Sequence, residues 1–260
     1  MAQGMTPDGI AWIAAGKPDP DSPSLLFIHG AGANSAAWWQ QFEAFSHDRH
    51  CIAYDLAGFG ASKPIAGTNL RAEMVNAAAE VMAAAGARQA HLVCQSLGGW
   101  TGLRLALDRP ELVASLALSC TLAGIAHGPG LAAFQQAVAK MDERGPASLG
   151  LGEEFESAHP LKASLYRQLG ALNPQQDPAL SQRLFAPDFL VSLSQLKQVA
   201  APTLILTGGD DRIWPPESLE GLSAHFVCAK FTVIWKSGHS PYFERPAQFN
   251  QAIADFVGST

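Results

Sequence analysis

Three residue types that can combine in nucleophilic chemistry each follow an apolar run in this chain of 260 residues: Ser96 after residues 92–95, Asp211 after 203–207, and His239 after 231–235. Serine is a poor nucleophile until a base takes its proton, and the base needs an acid that holds its tautomer and balances its charge. The stretch Leu92-Val93-Cys94-Gln95-Ser96-Leu97-Gly98-Gly99-Trp100 reads as a strand, a very tight turn and a helix, with Ser96 at the tip. Free N–H groups and partial positive charge at that helix start suit a developing oxyanion. Gly98 and Gly99 let helix and strand pack closely. A capping serine in an ordinary strand-to-helix loop is the alternative for this stretch taken alone.

The surrounding elements place the serine, acid and histidine at one end of a sheet. Residues 10–14 read as an edge strand. Apolar runs at 24–28, 51–54, 92–95, 113–118, 203–207 and 231–235 read as further strands. Helical patterns lie between them. One carries Trp38, Trp39, Phe42 and Phe45; one carries Leu70, Met74, Ala77, Ala78, Val81 and Met82 and stops at Gly86; others end at Arg109-Pro110, span 218–226 and span 247–257. Strand–helix alternation with short loops predicts an α/β fold, a mostly parallel twisted sheet with helices on both faces. From 122 to 199 the rhythm changes to short helical patterns broken by Gly and Pro. The prediction is a helical cap over 122–198, inserted into a core of 1–121 and 199–260. In such sheets ligands bind beyond the carboxyl ends of the strands, where Ser96, Asp211 and His239 fall.

Composition excludes several partners. Seventeen basic residues against 23 acidic ones leave a charge of −6 with no basic run, which argues against nucleic acid and anionic membrane surfaces. No apolar stretch reaches the length of a membrane span. Residues 1–7 have neither a basic head nor an apolar segment, so a cytoplasmic protein without a signal peptide is expected. Cys51, Cys94, Cys120 and Cys228 lack CxxC spacing and read as buried free thiols, with neither a zinc site nor a disulfide framework. His47, His50, His91, His127, His159 and His225 share no metal-ligand spacing, so no metal is expected.

Five motifs, in order, resemble those of the α/β-hydrolase fold family, and the resemblance covers nearly the whole chain. His29-Gly30-Ala31-Gly32 resembles the oxyanion loop, and residues 55–62 the D-x-x-G-x-G-x-S loop. The Ser96 stretch resembles the nucleophile elbow, Gly208-x-x-Asp211-x-x-x-Pro215 the acid loop, and Gly238-His239 with Glu244-Arg245-Pro246 the histidine loop. The resemblance implies Ser96 as nucleophile, His239 as base, Asp211 as its acid, and the backbone N–H groups of Ala31 and Leu97 as the oxyanion hole. Asp211 is preferred to Asp210 because Pro215 follows it by four. The acid position that some relatives use after an earlier strand reads Leu118-Ser119-Cys120-Thr121, without a carboxylate.

The elbow departs from G-x-S-x-G at Cys94, which is small enough for the turn and is either inert or a second reactive group. Gln95 either hydrogen-bonds the cap or faces solvent. His29 and Asp55 are expected to hold their own loops. Trp38, Trp39, Trp100, Trp214 and Tyr242 flank the loops; Trp38, Trp100, Trp214 and Tyr242 are the candidate lining of an apolar pocket, shared with plain core packing.

The resemblance implies a cofactor-free serine hydrolase acting on an ester, lactone or related acyl bond of a small, fairly apolar carbonyl substrate. Serine at the elbow disfavours the dehalogenases and epoxide hydrolases of this fold, which use aspartate there. Carbon–carbon bond hydrolases, cofactor-free oxygenases or lyases, and ligand receptors that retain the triad are the alternatives.

Overall fold

The computed structural model describes residues 1–64, 69–174, 177 and 179–260. Its sheet contains β1 (Ala2–Met5), β2 (Ala11–Ala15), β3 (Ser24–Ile28), β4 (Cys51–Tyr54), β5 (Ala90–Gln95), β6 (Val113–Ser119), β7 (Thr203–Gly208) and β8 (Ala229–Ile234) in the spatial order β1-β2-β4-β3-β5-β6-β7-β8. The β1–β2 and β2–β4 pairs are antiparallel and the rest are parallel. The strand expected at the edge, 10–14, is therefore one place in. β1 lies outside it, and because every residue of β1 is exposed it carries no burial pattern to read.

Side-chain alternation divides the buried strand residues between two cores. Leu25, Phe27, Ala53, Val93 and Leu206 face one, whereas Leu26, Ile28, Ile52, Leu92 and Ile205 face the other. α1 (Trp39–Phe45) covers the first core. α2 (Leu70–Ala84) and α3 (Gly98–Asp108) cover the second, which their apolar faces complete through Met74, Val81, Leu103 and Leu105. The Asn69 side chain caps α2 by accepting the Ala72 N–H at 3.1 Å.

Between β6 and β7 come α4 (Gly128–Val138), α5 (Glu153–Ala158), α6 (Pro160–Ala171) and α7 (Leu180–Leu184), with no strand among the described residues. An isolated bridge, Ile125 to Val191, pairs the two ends of this insert. Arg104, fully buried on α3, rivets both ends: its guanidinium donates to the carbonyl oxygens of Ala123, at 3.2 Å, and of Phe189. Burial pulls that guanidinium down to about 10, which still leaves it cationic at neutral pH.

After β7 the expected helix at 218–226 is a short α8 (Pro216–Leu219) followed by a 3₁₀ turn. The chain ends in α9 (Pro241–Glu244) and α10 (Pro246–Val257), which return to the first core. Among the described residues no helix is long and apolar enough to cross a membrane.

Candidate active site

Ser96 sits in the one-residue step between β5 and the turn into α3, with φ +48°. A non-glycine residue in the left-handed region costs energy, and surrounding contacts must hold it there. Here the Ser96 N–H donates to Ser119 O at 3.0 Å, and its carbonyl accepts the Gly99 N–H at 2.9 Å and the Thr121 hydroxyl at 2.6 Å. α3 starts directly against β3: a Cβ on Gly98 would lie 2.4 Å from the Ile28 carbonyl oxygen, a contact no side chain survives.

Cys94 occupies the place of the elbow's first glycine, and the space for its sulfur comes from across the helix. A Cβ on Gly102 would lie 2.3 Å from Cys94 Sγ. Burial pushes the Cys94 thiol far above its usual range, so it is an unreactive packing group. Gly102→Ala should therefore destabilise the fold by about 1–3 kcal/mol. Cys94→Ala should recover a good part of that loss. Thermal or urea melts of the two single variants and the double variant test this, and strictly additive effects would refute the pairing.

Asp211 and His239 meet behind the serine. His239 Nδ1 lies 2.9 Å from Asp211 Oδ2, and both side chains are buried. Asp211 Oδ1 accepts the N–H groups of Ile213, at 2.8 Å, and Trp214, at 3.1 Å, so the carboxylate is aimed by its own loop. Asp210 is exposed. His239 Nε2 is buried without a hydrogen-bond partner among the described residues. Ser96 and His239 line the same small recess together with Ala31, Gln95 and Tyr166. Among the described residues no protein group bonds the Ser96 hydroxyl, and the N–H groups of Ala31 and Leu97 have no protein acceptor.

The remaining motif residues tie loops together. Gln95 Nε2 donates to the His239 carbonyl at 3.0 Å, linking elbow and histidine loop. Burial lowers His29 to about 4, so its ring is neutral. Its Nδ1 donates to Gly30 O at 2.8 Å and its Nε2 accepts the Leu56 N–H at 2.9 Å. Asp55 accepts the N–H groups of Ser35 and Ala61, both at 2.8 Å. Glu244, which sequence reasoning left as part of a motif, is a buried carboxylate raised by desolvation. It accepts the N–H groups of Gly238, at 3.0 Å, and Gly152, at 3.1 Å, and so fastens the histidine loop to the insert.

A cavity of about 550 Å³ opens beside Ser96. Phe59, Leu97, Trp100, Phe134, Leu184, Phe185, Ile213 and Trp214 line it, and the exposed Glu143, Arg144, Asp177 and Ser181 mark its solvent side. Of the aromatic residues picked from the sequence, Trp100 and Trp214 line this cavity, and their indole N–H groups donate to Leu184 O and Gly130 O of the insert, at 3.3 and 3.1 Å. Trp38 and Tyr242 do not line it. Their rings pack 4.6 Å apart in the first core with Phe27 and Phe249, because α1 and α10 close over that face. Trp39 is exposed. Phe59, Phe134 and Phe185 were missed, since nothing local distinguishes a cavity-lining phenylalanine from a core one. The cysteine reading also needs one correction: Cys51, Cys94 and Cys120 are buried free thiols, but Cys228 is exposed.

Residues 23–246 match the model of the alpha/beta hydrolase fold family. The chain is 31% identical over 248 residues to a pimeloyl-acyl-carrier-protein methyl ester esterase of Aeromonas hydrophila, covering 91% of this chain and 96% of that one. It is 27% identical to a 2-hydroxy-6-oxononadienedioate/2-hydroxy-6-oxononatrienedioate hydrolase of Paraburkholderia phymatum, covering 90% and 87%. The crystal structure of an enol-lactonase from Burkholderia xenovorans superposes with a TM-score of 0.79 at 17% identity over 99% of this chain and 100% of that one, a likeness of fold. The chain belongs to the alpha/beta hydrolase fold family, and it is an enzyme of the hydrolase class.

Proposed function

We propose that this protein is a serine hydrolase that cleaves an ester, lactone or related acyl bond of a small, largely apolar substrate. The observation that carries the reading is the left-handed Ser96, held with its hydroxyl unbonded in the same recess as a buried His239 whose Nδ1 is engaged by Asp211. With the ring proton on Nδ1, Nε2 is the basic nitrogen, and its lack of a partner leaves it ready for the serine proton. The Ser96–His239 hydrogen bond forms when substrate enters, since catalytic contacts of an unliganded site commonly close only in the complex.

Ser96 Oγ attacks the carbonyl carbon while His239 Nε2 takes its proton. The N–H groups of Ala31 and Leu97, both at the cavity wall, hold the oxyanion, aided by the start of α3. His239 returns the proton to the leaving alcohol oxygen, and water then releases the acyl-enzyme by the same steps. No cofactor takes part. The acyl or alcohol group lies in the aromatic cavity, whose size suits a small ligand. The insert over 122–198 serves as its cap, supported by Phe134, Leu184 and Phe185 in the cavity wall. The relatives named as an ester esterase and a hydrolase support the reaction class.

A fluorophosphonate probe should label one residue, and peptide mass spectrometry should place the label on Ser96. Hydrolysis of short-chain p-nitrophenyl esters should stop in step with labelling. Labelling elsewhere, or full hydrolysis after complete labelling of Ser96, would refute the acyl-enzyme. Oxygen uptake with substrate, or tight binding without turnover, would point instead to the oxygenase or receptor alternatives.

A further inference from the structure

Cys120 has no part in the chemistry above, yet it lies against it. It follows β6 in the left-handed region, φ +48°, with its N–H held by Leu206 O at 2.7 Å. One donor atom each from Cys120, Asp211 and His239 falls within 4.8 Å of the other two, and all three residues are buried. They sit at the ends of β6, β7 and β8, so no sequence spacing reveals them.

We propose that Cys120, Asp211 and His239 form a binding site for a thiophilic divalent cation such as Zn²⁺ or Cd²⁺, and that filling it switches the enzyme off. Only the loss of activity rests on the hydrolytic reading; the binding does not. A thiolate, an imidazole and a carboxylate make a donor set that zinc accepts, with a fourth position left for water, whereas Mg²⁺ and Ca²⁺ select oxygen ligands. With zinc–ligand bonds of about 2.0–2.3 Å, the three donors need to close up by roughly 1 Å.

The charges balance. The thiol releases its proton to solvent as the sulfur–metal bond forms, so a 2+ ion meets one thiolate and one carboxylate, and the buried cluster is neutral. The nitrogen that faces Asp211 is Nδ1. A cation there uses the Nδ1 lone pair, and the ring proton moves to Nε2. A protonated Nε2 cannot accept the Ser96 proton. Inhibition thus follows from tautomer capture, with the cavity still open to substrate.

The test uses the full chain with the exposed Cys228 replaced, Cys228→Ala. Co²⁺ alone should give a thiolate-to-cobalt band in the near ultraviolet at one ion per chain, displaced by Zn²⁺, and Zn²⁺ but not Mg²⁺ should inhibit ester hydrolysis. Adding Cys120→Ser should abolish the band and weaken Zn²⁺ inhibition at least about ten-fold. Should that variant not fold by circular dichroism, His239→Ala should weaken Co²⁺ binding by a similar factor while keeping the thiol. Ser96→Ala should keep the band in full. A protein that gives the band but hydrolyses no ester keeps the cation site and loses the hydrolytic reading. A hydrolysing protein without the band, or a band that survives Cys120→Ser in folded protein, overturns the cation site.

Discussion

Ser96→Ala is expected to lower kcat for a p-nitrophenyl ester by about a million-fold, the scale on which a serine hydrolase loses its nucleophile. The fold should survive the change. The contacts that hold residue 96 in its strained conformation are backbone contacts: the N–H to Ser119 O, and the carbonyl to the Gly99 N–H and the Thr121 hydroxyl. None passes through the serine side chain. Alanine at φ +48° pays the same conformational cost as serine, so melting temperature and circular dichroism should be close to wild type. The variant should still bind substrate, because the cavity wall of Trp100, Phe134, Phe185 and Trp214 is untouched. A stopped assay with Ser96→Ala purified free of wild-type protein reads the outcome. Residual activity above about one part in a hundred would exclude Ser96 as the nucleophile, since the oxyanion hole and binding alone leave far less.

What could be read from the chain and what could not divides on whether the signal is local. The strand–turn–helix at Ser96, the acid loop and the histidine loop carry their patterns in consecutive residues, and the structure brings Asp211 to His239 and His239 into one recess with Ser96. Cys94 was legible only as a departure. The compensation, Gly102, lies on the facing side of α3, and no rule of spacing links the two before the helix is packed on β5. The tryptophans show the same limit. Trp38 and Trp100 look alike in sequence, each near a loop and each in a helical pattern, but the sheet separates them onto opposite faces. The strand alternation that defines those faces is readable; which face the insert covers is not. Glu244 and Gln95 act through partners far away in the chain, Gly152 for one and the His239 carbonyl for the other. β1 was missed because an exposed strand on the rim buries nothing and so leaves no pattern.

The second large effect falls on the acid. Asp211→Asn should reduce kcat by about ten thousand-fold, because the change inverts the histidine tautomer while leaving the shape of the site intact. The geometry decides which way the amide turns. Asp211 Oδ1 accepts two backbone N–H groups, from Ile213 at 2.8 Å and Trp214 at 3.1 Å. An asparagine must point its carbonyl oxygen there, since an NH₂ facing two buried donors would leave both unpaired. Its NH₂ then takes the Oδ2 place, the nearer of the two oxygens to His239 Nδ1 at 2.9 Å against 3.1 Å, and draws Nδ1 into the acceptor role with the ring proton on Nε2. In that state the imidazole cannot take the serine proton. KM should change little, because Asp211 lies behind His239 and outside the lining of the aromatic cavity. Asp210→Asn is the control: that residue is exposed, its backbone N–H rather than its side chain makes the bond to Ser237 O, and activity should stay within about two-fold of wild type, as is usual for an isolated surface substitution. Steady-state kinetics on the two variants separate the possibilities. If Asp210→Asn is the inactive protein and Asp211→Asn retains a tenth or more of its rate, the acid is misassigned, and the backbone N–H pair at Ile213 and Trp214 would be a loop staple rather than the device that aims the catalytic carboxylate.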